Sequence, residues 1–465
     1  MAEQVEVLFS TPAMSATFSP EAHVRQMLAF EAALARAEAR AGIIPHEAAL
    51  SIAASCRVEL FDIAALYREA ATAGTPAIPL VRMLTEQVES SVGTRFSASD
   101  SGVGARNASR YVHWGATSQD AIDSALMLQM REGLDLLITD LLSICATCAA
   151  LAEQHRHTIM IGRTLLQQAL PITFGLKAAR WLALLTRQVQ ALHEQRARTL
   201  AVQLGGAAGT LASLGEKGLQ VVALLAEELN LPQPELPWHT ERDRIAEIAS
   251  TLGIVAGALA KIAGDLVLLA QTEVGEVTEA SAPGKGGSSA MPQKRNPVDA
   301  TGAIAAARLA IGVVPVILSA MTQEHERAAG GWQAEWAAIP DLFRFTAHAV
   351  ERVRDAVAGL QIDPARMSAN LDLTQGLVMA EALTMALSPH VGRPAAYRIV
   401  QEACQHATTS GIHLRQAAMQ DARVRAILSP AEIDNALDPS QYLGSTDTLI
   451  DRALEAYRRE QSLQG

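Results

Sequence analysis

Aliphatic residues recur through the middle of this sequence with the spacing of long α-helices. From residue 245 onward the steps alternate between three and four, at Ile245, Ile248, Leu252, Val255, Leu259, Ile262, Leu266 and Leu269. This spacing places the apolar side chains along one face of a helix. Because Ile254, Val267 and Leu268 are also apolar and lie off that face, the helix must be surrounded by other helices.

Stretches without proline leave room for more helices of this kind, since proline disrupts a helix interior. Proline is absent from residues 80–170, 172–231 and 238–282. The apolar pattern predicts further long helices at residues 120–156, 174–204 and 296–326. We find no convincing series of alternating strands, so the sequence predicts an all-α fold.

The arrangement that we predict is a central bundle of long antiparallel helices over residues 111–355, flanked by two smaller helical domains at residues 1–110 and 356–465. Several domains fit the length of 465 residues, which exceeds the size of a single hydrophobic core. Aromatic residues make up only 4% of the chain, so we expect an aliphatic core. A monomer would expose large apolar faces of the bundle, which favours a homo-oligomer.

Charge and cysteine content limit the partners and the compartment. The net charge of −11 argues against nucleic acid, because binding to phosphates requires a basic surface. Four cysteines are too few for a disulfide scaffold, and Cys145 and Cys148 lie in an apolar run with no second pair, which favours buried cysteines over a zinc site. The sequence opens without the features of a signal peptide, and we find no apolar run long and uninterrupted enough to span a membrane. We expect a cytoplasmic protein.

Three polar stretches interrupt the aliphatic pattern, and the first covers residues 111–123. Thr117 or Ser118 suits the cap of the helix that follows. A helix N-terminus also carries unpaired N–H groups, and the sequence Thr-Ser-Gln adds side-chain donors, so a carboxylate could bind here. Both interpretations, a cap and an anion site, remain open from this stretch alone.

The second stretch, residues 161–169, interrupts an apolar helix with the polar residues Arg163, Thr164, Gln167 and Gln168. Buried polar groups need partners, so these side chains could simply bond to neighbouring helices. This stretch alone does not identify a site.

The third stretch, residues 283–297, reads PGKGGSSAMPQKRNP. Gly284, Gly286 and Gly287 allow the backbone to adopt positive φ, so that successive N–H groups can form a nest for an oxyanion. Ser288 follows these glycines, and Lys294 and Asn296 add cationic and amide donors for the same anion. The glycine spacing is not that of a phosphate-binding P-loop. We interpret the stretch as an active-site loop.

These stretches resemble the fumarase/aspartase superfamily, whose members add groups to, or eliminate them from, the carbon next to a carboxylate. The sequence GSSAMPQKRNP at residues 287–297 is similar to the family signature, and VHWGATSQD and GRTLLQQA are similar to two other family regions, in the same order. The resemblance implies a homotetramer with a core of long helices. It also implies that the three regions meet in one site contributed by different subunits.

The resemblance implies a role for individual residues. Ser288 would be the catalytic acid or base, and Lys294 and Asn296 would bind a substrate carboxylate. The positions implied to bind substrate elsewhere are His113, Thr117, Ser118, Gln119, Thr164 and, from the segment QEHER, Arg327. The substrate would be a small polycarboxylate, and the resemblance implies no metal and no organic cofactor.

Two positions depart from the lyases of this family. Those enzymes carry a histidine directly after the threonine of the second region and a glutamate five residues beyond the asparagine of the third, where this chain has Leu165 and Thr301. A carboxylate leaving group does not need the acid assistance that hydroxide or an amine requires. The departures therefore resemble the branch that closes a lactone by adding a substrate carboxylate to a double bond. A sulfonated analogue of that substrate, an adenylosuccinate-type lyase and a non-catalytic relative remain as alternatives.

Overall fold

A computed structural model describes residues 7–95 and 105–462 of the chain. These residues form eighteen α-helices, a few short 3₁₀ helices and two small pairs of strands. The all-α prediction is confirmed apart from these two strand pairs, one of which forms at the second polar stretch.

The part of the chain before the first polar stretch forms short helices. They are α1 (Pro12–Thr17), α2 (Pro20–Arg40), α3 (His46–Ser55), α4 (Ile63–Ala73) and α5 (Ala77–Arg95). The sequence marks two of their starts, because Thr11 and Ser19 each accept a hydrogen bond from the backbone three residues on and are each followed by proline. The buried faces of α2 to α5 join in one mainly aliphatic cluster that includes Met27, Leu66 and Leu84.

The middle of the chain contains the long helices. They are α6 (Ser118–Gln154), α7 (Phe174–Arg198), the shorter α8 (Gly218–Leu229), α9 (Asp243–Leu269), α10 (Val298–Ser319) and α11 (Gly331–Ala358). The 37 residues of α6 make a rod about 55 Å long. The residues of the seven-residue spacing in α9, from Ile245 to Leu269, are all buried as predicted.

The C-terminal part again consists of shorter helices. They are α12 (Pro364–Asp372), α13 (Ala380–Val391), α14 (Arg393–Ser410), α15 (Leu414–Gln420), α16 (Ala422–Arg425), α17 (Pro430–Ala436) and α18 (Thr446–Ser462). A capping box formed by Ser429 and Glu432 fixes the start of α17. Leu383, Leu414 and Ile433 belong to one buried cluster of this region.

The chain divides into two compact units, and the long helices contribute to both. The first unit comprises residues 1–140, 188–257 and 305–351, and the second comprises residues 141–187, 258–304 and 352–465. Small residues allow helices to approach closely within each unit. A Cβ at Gly133 would lie 2.7 Å from the ring of Phe343 in the first unit, and one at Gly175 would lie 2.6 Å from a backbone oxygen of α6 in the second. The domain boundaries at residues 110 and 355 stay a prediction.

The second polar stretch corrects a prediction, because it forms a β-hairpin and does not interrupt a helix. Strand β1 (Ile159–Thr164) pairs antiparallel with β2 (Gln167–Thr173), and the register shifts by a bulge between Ile161 and Arg163. The β-branched residues of both strands favour extended backbone, although the strands do not alternate strictly between apolar and polar residues. A second pair joins β3 (Val277–Thr278) to β4 (Gln361–Ile362).

The expectation that no apolar run could span a membrane was wrong by length and composition. Among the described helices, α6, α9 and α10 are each long and apolar enough to do so. A buried bundle helix has the same composition as a membrane span. Within the first unit, α9 packs against α10, where a Cβ at Gly253 would lie 2.9 Å from a methyl group of Val314.

Candidate functional site

The first polar stretch is organised by the carboxylate of Asp120, which is fully buried in the first turn of α6. It accepts hydrogen bonds from the backbone N–H groups of Thr117 at 2.9 Å, Gly205 at 2.9 Å and Gly206 at 3.0 Å. Its Oδ1 also lies 2.7 Å from Nε2 of His239. A buried carboxylate is tolerated only with such partners, so Asp120 fixes the helix start and the adjoining loop in one geometry.

A second buried network lies one turn further along α6. Both terminal nitrogens of Arg242 donate to Asp123, at 2.7 and 3.1 Å, and the guanidinium also donates to Glu335, with Nη2 at 2.5 Å from Oε2. The three side chains are at most 1% exposed. Burial alone would lower the pKa of Arg242, but the two carboxylates raise it well above its ordinary range. This ion triad keeps the guanidinium charged and ties α6 to α11.

Gln119 belongs to the same interior. It is fully buried, and its Nε2 donates to Asp123 at 3.0 Å and to the backbone oxygen of His239 at 2.8 Å. Its Oε1 has no hydrogen-bond partner within residues 7–95 and 105–462. The geometry gives Gln119 a supporting position behind the helix start, and its role as a direct substrate contact stays a prediction.

Thr117 lies near the surface of this stretch, where Arg327 of the segment QEHER contacts it. Nη1 of Arg327 donates to the hydroxyl of Thr117 at 3.0 Å, and Nη2 donates to the backbone oxygen of Ala207 at 3.0 Å. Ser118 is the first residue of α6 and is half-buried. A fixed guanidinium beside a threonine and a serine hydroxyl can bind a carboxylate.

His113 lies at the entrance to the same stretch, in the left-handed backbone region with φ of 56°. Its Nδ1 lies 2.5 Å from Oε1 of Glu31, a residue of α2 whose side chain is fully buried. Burial lowers the pKa of His113, but the Glu31 carboxylate, and to a smaller extent Asp120, raise it above its ordinary value. Glu31 lies outside the three polar stretches and in no motif of the sequence.

The third stretch forms a loop with a locally defined backbone. Gly284 and Gly286 have φ of 79° and 70°, as the nest prediction requires, whereas Gly287 is not in the positive region. The backbone N–H of Asn296 donates to the oxygen of Gly286 at 2.8 Å, and the side-chain amide of Asn296 donates to the same oxygen at 3.3 Å. A Cβ on Gly286 would lie 2.7 Å from the oxygen of Asn296, so only glycine fits there.

Ser288 occupies the turn of this loop. Its Oγ accepts hydrogen bonds from the backbone N–H groups of Met291 at 3.1 Å and Ala290 at 3.3 Å. Two N–H donors stabilise negative charge on this oxygen, so the hydroxyl can release its proton more readily than a free serine. Its hydrogen remains available for a bond of its own.

The ends of the loop are attached to the start of α10. Glu279 accepts hydrogen bonds from the N–H groups of Asp299 at 3.1 Å and Ala300 at 2.8 Å, and therefore occupies the anion position at the N-terminus of this helix. Lys285 forms an ion pair with Asp299, whose other oxygen accepts from Arg352 at 3.0 Å. These contacts hold the ends and leave the centre of the loop exposed.

A cavity of about 480 Å³ adjoins the loop within the second unit. The cationic residues Lys285, Lys294 and Arg295 line it, together with Gly286, Gly287 and Asn296. Lys294 is exposed, and Ser288 is outside the lining. The cavity has the charge and the donors to accept a polycarboxylate.

The hairpin is clamped at its base and open at its tip. Arg163 makes a bidentate ion pair with the buried Glu276, at 2.8 and 2.9 Å, and Asn370 donates to the same carboxylate at 2.8 Å. Thr164 is exposed at the end of β1. The tip residues Leu165 and Leu166 have φ of 50° and 65° and are 97% and 73% exposed.

The structure therefore groups the predicted residues in two sets. The first unit holds His113, Thr117, Ser118, Gln119 and Arg327, and the second holds Thr164, Ser288, Lys294 and Asn296. Sequence reasoning missed the acidic residues that position them, namely Glu31, Asp120, Asp123, Glu276 and Glu279. A carboxylate inside an apolar or glycine-rich segment is the signal that could have found several of these residues.

Comparisons with known proteins agree with these features. A family model described as "Lyase" matches residues 6–312, and one described as "Adenylosuccinate lyase C-terminus" matches residues 376–453. The chain is similar to 3-carboxy-cis,cis-muconate cycloisomerase of Pseudomonas aeruginosa, at 49% identity over 97% of this chain and 95% of that protein. The enzyme of the same name from Bradyrhizobium diazoefficiens is 47% identical, over 97% of this chain and 98% of that protein. The crystal structure of 3-carboxy-cis,cis-muconate lactonizing enzyme from Pseudomonas putida superposes with a TM-score of 0.91, at 44% identity over 99% of this chain and 100% of that one.

Proposed function

This chain belongs to the fumarase/aspartase superfamily of lyases, and we propose that it is a cycloisomerase that closes 3-carboxy-cis,cis-muconate to 4-carboxymuconolactone, a step of the protocatechuate branch of the β-ketoadipate pathway. The observation that carries the proposal is the similarity, over 97% of the chain, to enzymes with this activity in their names. The intact loop with Ser288, Lys294 and Asn296 supports an active enzyme rather than a non-catalytic relative.

Substrate binding in this proposal uses the two sets of donors. A tricarboxylate requires several cationic partners, and in the proposed assembly different subunits supply Arg327 beside Thr117 and Lys294 beside the glycine nest. The net charge of −11 means that these local clusters must outweigh a repulsive overall field. The donors therefore fix the position and orientation of the substrate.

Ring closure then proceeds by addition within the substrate. One carboxylate oxygen forms a C–O bond to an alkene carbon, and the electron pair of the double bond moves onto the neighbouring carboxylate as an aci-carboxylate. Donors aimed at this charge are worth about 3 to 4 kcal/mol each. Ser288 gives its proton to the α-carbon, and the N–H groups of Ala290 and Met291 stabilise the alkoxide that remains.

The residues at the two departing positions support this reaction. Leu165 and Thr301 stand where the lyases carry their His–Glu pair. Leu165 has no proton to donate, and the hydroxyl of Thr301 already donates to the backbone oxygen of Val298 at 3.1 Å, so the pair that would assist a poor leaving group is absent. In the reverse direction of the proposed reaction, the leaving group is a carboxylate, which departs without acid assistance. An apolar residue at position 165 is therefore compatible with a cycloisomerase.

We further propose that the enzyme is a cytoplasmic homotetramer whose subunits share their active sites. The long helices keep apolar side chains exposed on each chain, among them Ile254 at 62% and Ile311 at 44%. Pairing of bundles would cover them. The four cysteines are all free, which fits a reducing compartment.

A single assay tests the reaction. The protein is incubated separately with 3-carboxy-cis,cis-muconate, 3-sulfomuconate and adenylosuccinate, while loss of the diene absorbance and release of fumarate are followed. We expect rapid loss of the carboxymuconate absorbance and no fumarate. Faster turnover of the sulfonated compound would reassign the substrate, and fumarate from adenylosuccinate with both muconates untouched would refute the cycloisomerase.

A further inference from the structure

The side chain of Glu31 is buried in the N-terminal helices and bonded to a residue of the candidate site, although no motif includes it. From this contact we propose that Glu31 is a positioning residue, which holds His113 as an imidazolium whose Nε2–H binds a carboxylate of the substrate. The inference rests on the proposed function for the identity of that substrate. It adds a cation to the site that the loop motif does not supply.

The geometry fixes which nitrogen faces which partner. Nδ1 of His113 lies 2.5 Å from Oε1 of Glu31, so Nδ1–H donates to the carboxylate. Nε2 makes no hydrogen bond to any described residue. His113 keeps 15% of its side chain exposed, whereas Glu31 has none exposed. The free nitrogen is therefore the one that a ligand can reach.

Two carboxylates act on this ring, and together they favour its charged form. Glu31 contacts it from α2, and Asp120 acts on it from the first turn of α6. Asp120 is itself bonded to His239, and the guanidinium of Arg327 donates a hydrogen bond to the nearby Thr117. The charges of Glu31 and Asp120 outweigh the effect of burial, and the pKa of His113 is raised.

The backbone supports a positional role. His113 adopts a φ of 56°, a region that a non-glycine residue occupies at a cost of about 1 to 2 kcal/mol. Strain of this kind persists where the surrounding structure fixes the residue. The short bond to Glu31 is the contact that does so for the side chain.

The sign of the pH effect follows from the raised pKa. The imidazolium is present below the pKa of His113 and is lost as the pH rises through it, so kcat/KM should fall on the basic side of its profile. Replacing the carboxylate by an amide removes the largest favourable charge and lowers that pKa. As the pH rises, the variant Glu31→Gln should therefore lose its affinity for the substrate at a lower pH than the wild type does.

The test compares three variants over about pH 6 to 9. We expect Glu31→Gln to shift the basic limb of kcat/KM to lower pH by about one unit, a loss of about tenfold on that limb, with most of the change in KM. Glu31→Asp keeps the charge and should retain the wild-type limb, and His113→Gln should abolish it. Glu38→Gln is the matched control, because Glu38 is also buried on α2 and makes no hydrogen bond to His113. Burial, and to a smaller extent the charge of Glu31, raise the pKa of Glu38 to about 9, so that it is neutral over most of this pH range.

Binding of tricarballylate, a tricarboxylate without a double bond, separates this inference from the proposed reaction. Calorimetry should show affinity for wild type that falls as the pH rises, and that falls earlier for Glu31→Gln. Such a result supports the pair even if carboxymuconate is not turned over. Binding that is absent from the wild type, or that responds equally to Glu31→Gln and Glu38→Gln, overturns the proposal. A lower unfolding midpoint for Glu31→Gln with an unshifted limb would mean a purely structural role, which also overturns it.

Discussion

The helix start at Thr117 and the loop at Ser288 are fixed by different means. Around Thr117, the carboxylates of Asp120 and Asp123 are fully buried and bond to His239 and Arg242, residues 119 positions away in the sequence. In the loop, Ser288 and Asn296 bond to backbone groups at most ten positions away. Buried residues distant in the sequence hold the helix start, whereas hydrogen bonds within the loop hold most of the loop.

This difference fits the two tasks in the proposed reaction. A donor that binds a carboxylate works best when its position is set before the substrate arrives, since no free energy is then spent on ordering it. A serine that transfers a proton works best when water is excluded around it, which requires a segment that can close over the substrate. The buried network serves the first task, and the exposed, glycine-rich loop serves the second.

The largest effect that we expect comes from the loop. Ser288→Ala should lower kcat by about 10²- to 10⁴-fold, the usual contribution of a positioned proton donor. The unfolding midpoint should not change, because the Ser288 side chain bonds only to its own turn. Stopped-flow loss of the diene absorbance and thermal unfolding measure the two quantities.

Ser289→Ala is the control for this variant, because it makes the same change one residue further along the exposed loop. Near-normal turnover of Ser288→Ala would assign the proton to another donor, with His113 as the first candidate. A large drop in its unfolding midpoint would remove the contrast between the loop and the helix start.

The second prediction concerns the helix start. Asp120→Ala should cost about 3 to 5 kcal/mol of unfolding free energy, because His239 and three backbone N–H groups lose their buried partner. Activity should fall with it, since Thr117 would no longer be held. Denaturant unfolding monitored by circular dichroism gives the stability.

Asp62→Ala provides the comparison for Asp120→Ala. Asp62 is an exposed N-cap with one bond to the backbone of Ala65, so its loss should cost only about 1 kcal/mol. Equal costs for the two variants would mean that the buried network does not hold the helix start. The helix start at Thr117 and the loop at Ser288 would then not differ in the way they are held.

The sequence predicted the helices well because their signal is periodic. The spacing from Ile245 to Leu269 places α9 over almost the same residues as the structure does, and proline marks several helix starts. The hairpin was missed because its bulge at Gly162 and its leucine turn break the alternation that identifies strands. The local sequence pattern therefore predicted the periodic helices and failed at the irregular hairpin.

The candidate site divides in the same way. The loop was predicted because its glycines, serines and cations are adjacent in sequence. The carboxylates that position the other residues were not, since Glu31 lies 82 residues from His113 and Glu276 lies 113 residues from Arg163. An acidic residue in an apolar segment can be noticed in a single sequence, but its distant partner cannot be read from that sequence. The identification of these pairs required coordinates.

The smallest effect concerns the hairpin, which combines a fixed base with an exposed tip. Leu165 and Leu166 both have positive φ, which suits Asn-Gly in a two-residue turn and costs a leucine about 1 kcal/mol or more. The double variant Leu165→Asn, Leu166→Gly should therefore raise the unfolding free energy by about 1 to 2 kcal/mol. If the leucines are retained for the reaction, kcat/KM for carboxymuconate should fall several-fold in the same protein.

Arg163→Lys tests the base of the hairpin. Lysine cannot reproduce the bidentate contact with Glu276, so this variant should destabilise the hairpin. If the variant Leu165→Asn, Leu166→Gly is less stable than wild type, the tip is buried against another chain in the assembly. The hairpin would then resemble the helix start at Thr117, which buried contacts fix, and not the loop at Ser288.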